Sequence, residues 1–143
     1  MSKLSKTIIG VLILAATLII TFRAIDHAPV DDLSFQGQVT AIIDNSGCMV
    51  CHRSDPKLPW YRNVPLLKGK IRRDARDGFA RIDLRPYYES ILAGTSVEKR
   101  IVEKVDNVLD NHDMPPISYT ILRPGSAVNP KEREILKEWN RLH

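Results

Sequence analysis

Five consecutive residues, Cys48-Met49-Val50-Cys51-His52, carry the strongest chemical signal in the chain. Two thiols three positions apart, followed at once by an imidazole, make the Cys-x-x-Cys-His sequence at which a c-type haem is attached. The thiols can reach the two vinyl groups of one porphyrin as thioethers, and the imidazole meets the iron from the same face. Both thiols would be consumed, and the chain has only 2 Cys. Two other chemistries compete for these residues. A zinc centre needs further thiolate or imidazole ligands, and only His27, His112 and His143 remain. A redox dithiol or a structural disulfide expects a strand before the motif, whereas the preceding segment has helical period.

An iron held by His52 has an opposite face. The candidates for it are Met114, His112, His27 and His143, because Met49 lies inside the attachment turn and cannot reach around a ring. Met114 stands directly before Pro115-Pro116, which fix φ and remove backbone donors, so a rigid loop can present its thioether without helical hydrogen bonds. Packing as a core residue is the alternative for Met114. His112 is its rival as a ligand, although a histidine at a helix end also reads as a surface residue favoured by the dipole. His27 in a tether and His143 at the terminus are expected to be solvated.

Helices must position these groups. Phe35, Val39, Ile42 and Ile43 form one apolar face after a Ser34 cap, in a helix that stops at Asn45-Ser46-Gly47. Pro65 and Gly78 bracket a second, basic helix, and Pro86 and Gly94 a short third. Thr95 and Glu98 read as a capping box for a fourth helix, whose stripe is Val97, Ile101, Val105, Val108 and Leu109. A last helix opens at Asn129-Pro130-Lys131-Glu132 and carries Ile135, Leu136, Trp139 and Leu142. Nothing shows sustained strand alternation, so the expectation is an all-α domain. The long loops at 53–64 and 115–128 need something inside the fold to hold them.

The 143 residues are 43% hydrophobic and 27% charged, which fits one folded domain and excludes a disordered chain or a polytopic membrane protein. The net charge of +4 comes mainly from Lys3, Lys6 and Arg23 around the uncharged run Thr7 to Phe22. The remainder is nearly balanced, which argues against nucleic acid as a partner. Within it, residues 53–85 carry ten basic against four acidic side chains, so a basic surface for an acidic redox partner is expected there. Basic residues ahead of an apolar run read as an export signal, with a retained single-span anchor favoured over a cleaved one. The expected organisation is an anchor or signal over 1–23, a tether over 24–33 and a haem domain over 34–143. That domain would face the periplasm from the bacterial inner membrane.

With these residues in place, the chain resembles a small mono-haem cytochrome c of the class I type. More narrowly, Pro59-Trp60-Tyr61, the basic helix and Met114-Pro115-Pro116 are similar to a bacterial haem-binding domain family found alone or beside cytochrome c peroxidases. The resemblance implies a cytochrome c-like helical fold around one covalent haem c. It implies attachment at Cys48 and Cys51, His52 as proximal ligand and Met114 as distal ligand. The function expected is one-electron transfer between redox proteins. A haem peroxidase or gas sensor with an open distal site is the alternative, with His112 and Arg123 as its only helpers. Trp60 and Tyr61 could pack on the porphyrin or donate to a propionate. Arg62, Lys68, Arg72 and Arg73 could neutralise propionates, form a docking face or simply be solvated.

Overall fold

A computed structural model describes residues 3–24, 31 and 33–143. All regular structure among the described residues is helical. Helix α1 (Lys3–Ala24) is followed by α2 (Phe35–Ser46), whose Ser34 cap accepts a hydrogen bond from the Gly37 amide. Gly47, with φ of 72°, closes α2 through its own N–H to the carbonyls of Ile43 and Asp44. The single turn α3 (Cys48–Cys51) starts at the next residue, so the end of one amphipathic helix aims the whole motif. A 3-10 turn (Trp60–Asn63) leads into α4 (Pro65–Arg81), and α5 (Arg85–Ala93) ends at Gly94 in the left-handed region. Then come α6 (Lys99–Asn111), the short α7 (Ile117–Leu122) and α8 (Pro130–Leu142).

The core lies where α2 packs on α5 and α8, with α6 closing it. Val39, Ile42 and Ile43 of α2 meet Tyr87 and Ile91 of α5, Ile101 and Leu109 of α6, and Leu136 and Trp139 of α8. Each such side chain contributes about 1.5–3 kcal/mol on leaving water. The Tyr87 hydroxyl donates to Asn140 at 2.6 Å, and the Asn140 amide donates to Asp106 at 2.7 Å, so one polar chain links α5, α8 and α6. The capping box of α8 is present in full. The Asn129 side chain accepts from the Glu132 amide at 2.9 Å, and Glu132 accepts from the Asn129 amide at 2.8 Å.

Several expectations need correction. The Thr95 capping box does not form: α6 starts at Lys99 with Glu98 as its cap and no side-chain cap bond. The Thr95 amide is instead engaged by the Ser90 carbonyl, and the Val97 amide by that of His143, so tertiary contacts hold this stretch outside the helix. Gly78 does not end the basic helix, which runs on to Arg81. Both long loops contain a turn of helix, at 60–63 and 117–122. The single-span anchor is not supported: among the described residues no helix is long and apolar enough to cross a membrane. The uncharged run of α1 covers roughly 24 Å against a hydrocarbon core of about 30 Å. Its side chains from Ile8 to Ile20 are exposed and add nothing to the buried core.

Candidate haem site

Cys48 and Cys51 are free thiols at the two ends of α3. Burial pushes both thiols up, Cys51 to about 11, with nearby Asp74 adding to the effect there. Ser46 Oγ lies 3.1 Å from Cys48 Sγ and pulls the other way, but burial dominates. Protonated thiols suit addition to a vinyl group better than capture of a zinc ion, which takes thiolates. Among the described residues no third His, Cys, Asp or Glu joins the pair in a metal-binding group.

His52 is held from three directions. Its amide donates to the Cys48 carbonyl at 3.1 Å, its own carbonyl accepts from the Leu84 amide at 2.9 Å, and Nδ1 lies 3.3 Å from the Ile82 carbonyl. A carbonyl can only accept, so this contact places the ring proton on Nδ1 and leaves the lone pair on Nε2. Burial lowers the imidazole pKa against the upward pull of the Ile82 and Gly78 carbonyls, which favours the neutral ring a metal needs. The next residues are pinned as well. Arg53 grips Asp55 with two bonds of 2.8 and 2.7 Å, and Arg85 donates to the Ser54 hydroxyl.

Gly78 gives α4 its close approach to the motif. A β-carbon there would lie 3.3 Å from Cys51 Cβ and from the Cys51 carbonyl oxygen, and 3.4 Å from His52 Cε1. Two effects therefore oppose each other in Gly78→Ala. Helix propensity favours alanine by about 1 kcal/mol and the tight contact opposes it, so thermal unfolding of that variant should change little. Gly78→Val adds two methyl groups with nowhere to go. It should cost about 2–3 kcal/mol, a drop of roughly 10 °C in melting temperature, and an unchanged melting temperature would refute the contact.

The 3-10 turn and α7 also come up to the motif. Tyr61 and Tyr119 lie within electrostatic reach of Cys51, and Arg123 within that of Cys48. Bare apolar side chains stand on α7 and at the start of α4: Ile117 is 78% exposed, Ile121 62% and Leu66 92%. A planar apolar cofactor would take such side chains out of water. Two free thiols, a neutral imidazole with its lone pair on Nε2 and exposed apolar flanks fit haem.

The comparisons agree with that fit. Residues 14–141 match the haem-binding domain family. The chain belongs to that family. It is also similar to cytochrome c peroxidase Ccp of Escherichia coli (strain K12), 27% identical over 107 residues, which are 75% of this chain and 23% of that protein. The chain thus spans about a quarter of the length of that relative. No solved structure matches.

In this haem-binding domain the distal candidates separate. Met114 is half-buried in the turn between α6 and α7, followed by a cis Met114–Pro115 peptide. His112 is exposed, closes α6 in the left-handed region with φ of 58°, and has Nδ1 2.8 Å from the Asp110 carbonyl. His143 is not the solvated residue expected. It is half-buried, with its ring stacked on Trp139 at 3.9 Å between centroids. His27 lies outside the described residues, as does the Trp60 side chain.

Arg62, Lys68, Arg72 and Arg73 are exposed. A groove of about 290 Å³ between residues 53–58 and α4 gathers Arg53, Arg72 and Arg76 over Ala75 and Phe79. Sequence reasoning missed Tyr119 and placed Arg123 only as a helper for catalysis. Arg123 in fact donates to the Tyr119 hydroxyl at 2.8 Å and to the Asp44 carbonyl at 3.1 Å. The available signal was their spacing of four on a short helix.

Proposed function

We propose that this domain carries single electrons, with one haem bound covalently through Cys48 and Cys51 and its iron held by His52 and Met114. The observation that carries the reading is the free Cys48–Cys51 pair beside a neutral His52 whose Nδ1 proton is engaged by the Ile82 carbonyl. When bound, haem supplies a one-electron iron couple. The chain does the rest. His52 keeps its proton on Nδ1 and offers Nε2, the contact of α4 at Gly78 shields the proximal side, and Pro115-Pro116 stiffen the turn that offers the Met114 thioether.

The peroxidase or sensor alternative has less support. His112 is turned to its own backbone at the surface, and Arg123 directs Nη1 to Tyr119 and Nη2 to Asp44.

The test is direct. Purified protein should retain haem stain through denaturing electrophoresis, and its ferrous form should resist carbon monoxide. Loss of stain on denaturation would remove covalent attachment, and ready binding of carbon monoxide would favour the alternative. The arginine groove supports an acidic redox partner, in which case electron-transfer rates fall as salt rises, since exposed charges are screened over about 8 Å at physiological ionic strength. Rates independent of salt would exclude that partner. Lys3 and Lys6 ahead of the uncharged run of α1 support export, so the haem domain would work in the periplasm, and recovery of the stained band in cytoplasmic extract alone would contradict this.

A further inference from the structure

We infer that Tyr119 and Arg123 form a latch that fixes α7, and with it the turn carrying Met114, against the residues that open the attachment motif. Five contacts carry this. A β-carbon on Gly47 would lie 2.0 Å from the Tyr119 hydroxyl oxygen, so that hydroxyl occupies the space left by the glycine directly before Cys48. Arg123 Nη1 donates to the same hydroxyl at 2.8 Å, and Nη2 donates to the Asp44 carbonyl at 3.1 Å in the last turn of α2. Asn45 Nδ2 donates to the Gly125 carbonyl at 2.8 Å, tying down the chain just beyond α7. Buried Ser126 closes the same turn by donating from its hydroxyl to the Arg123 carbonyl at 2.7 Å.

The latch explains how α7 holds its place without a buried residue of its own. None of Ile117–Leu122 is buried, so apolar packing cannot fix this helix. The amides of Tyr119 and Thr120 bond to the Pro116 carbonyl, so α7 is continuous with the turn that starts at Met114. A helix fixed at Gly47 therefore limits where the Met114 sulfur can go. A propionate-binding role for Arg123 does not suit its position. Arg123 sits at the attachment end instead, with Nη1 2.8 Å from where a β-carbon on Gly47 would lie, directly before Cys48.

This inference rests on the reading of Met114 as distal ligand, and the test separates the two. In haem-loaded full-length protein, Tyr119→Phe and Arg123→Gln should speed amide exchange at Thr120 and Arg123 while leaving α8 protected. If the turn opens more often, imidazole should bind the ferric iron about tenfold more tightly, in line with one lost hydrogen bond to a charged group. Arg123→Lys, which keeps the charge but not the fork of donors, should restore little. Tyr119→Phe removes one oxygen atom and serves if the arginine variants do not fold. Unchanged exchange in α7 for both Tyr119→Phe and Arg123→Gln overturns the latch. Faster exchange with unchanged imidazole affinity overturns its coupling to the distal turn. If Met114→Ala alone leaves imidazole affinity unchanged, the distal reading is overturned, while the exchange result still judges the latch.

Discussion

A chain carrying Cys48→Ala and Cys51→Ala is expected to lose all haem stain from its band under denaturing electrophoresis, and to lose part of its fold with it. Each single variant should keep reduced stain through one remaining thioether. How much of the fold survives is set by where the buried residues lie. The cluster of Val39, Ile42, Ile43, Tyr87, Ile91, Ile101, Leu109, Leu136 and Trp139 belongs to α2, α5, α6 and α8 and needs nothing from the motif. By contrast, α3 and α7 contain no buried residue, and α4 buries only Ala75 and Gly78. Most helical stability in a protein comes from packing of an apolar face, of which α3 and α4 have little.

The double variant should therefore lose the helicity of α3 and α4, roughly a quarter of the helical residues beyond α1, and keep a cooperative transition from the rest, with α7 still held by Arg123 and Tyr119. Circular dichroism with thermal unfolding checks this. Full helicity without haem would mean that α4 holds itself. A completely unfolded chain would mean that the core needs the cofactor too.

The same division explains what was legible in the sequence. Helices that bury a stripe announce themselves, as α2 does through Val39, Ile42 and Ile43, and α8 does through Leu136, Trp139 and the Asn129–Glu132 box. Helix α7 does not, because none of the described residues covers Ile117 or Ile121 and what fixes the helix is distant in sequence. Gly78 misled because a glycine reads as a terminator, while here its missing side chain admits Cys51 and His52 to the helix surface. Thr95 misled because its backbone amide was already engaged by the end of α5. At the site, the closeness of Cys48, Cys51 and His52 was readable from spacing alone. The Ile82 carbonyl and the Tyr119–Arg123 pair were not, since what they touch is distant in sequence.

The distal ligand decides between a carrier and a catalyst. If Met114 ligates the iron, the ferric protein should show the weak long-wavelength absorption of a thioether-bound haem, and Met114→Ala should abolish it. A turn that is open about 1% of the time would hold carbon monoxide affinity about a hundredfold below that of an open site, so the alanine variant should gain about that factor. Its potential should fall, because a soft sulfur that favours ferrous iron is lost. The fold itself should lose only about 1–2 kcal/mol, since Met114 is half-buried and leaves no enclosed cavity. Met114→His should keep the iron six-coordinate and still lower the potential, which separates the electronic role of sulfur from its steric one. The control at His112 must respect its backbone: with φ of 58°, alanine would add left-handed strain, whereas His112→Asn tolerates that region. His112→Asn should leave the spectrum unchanged. A spectrum that survives Met114→Ala but collapses in His112→Asn would make the haem bis-histidine, and would require the end of α6 to unwind so that an exposed ring now bound to the Asp110 carbonyl could turn inward.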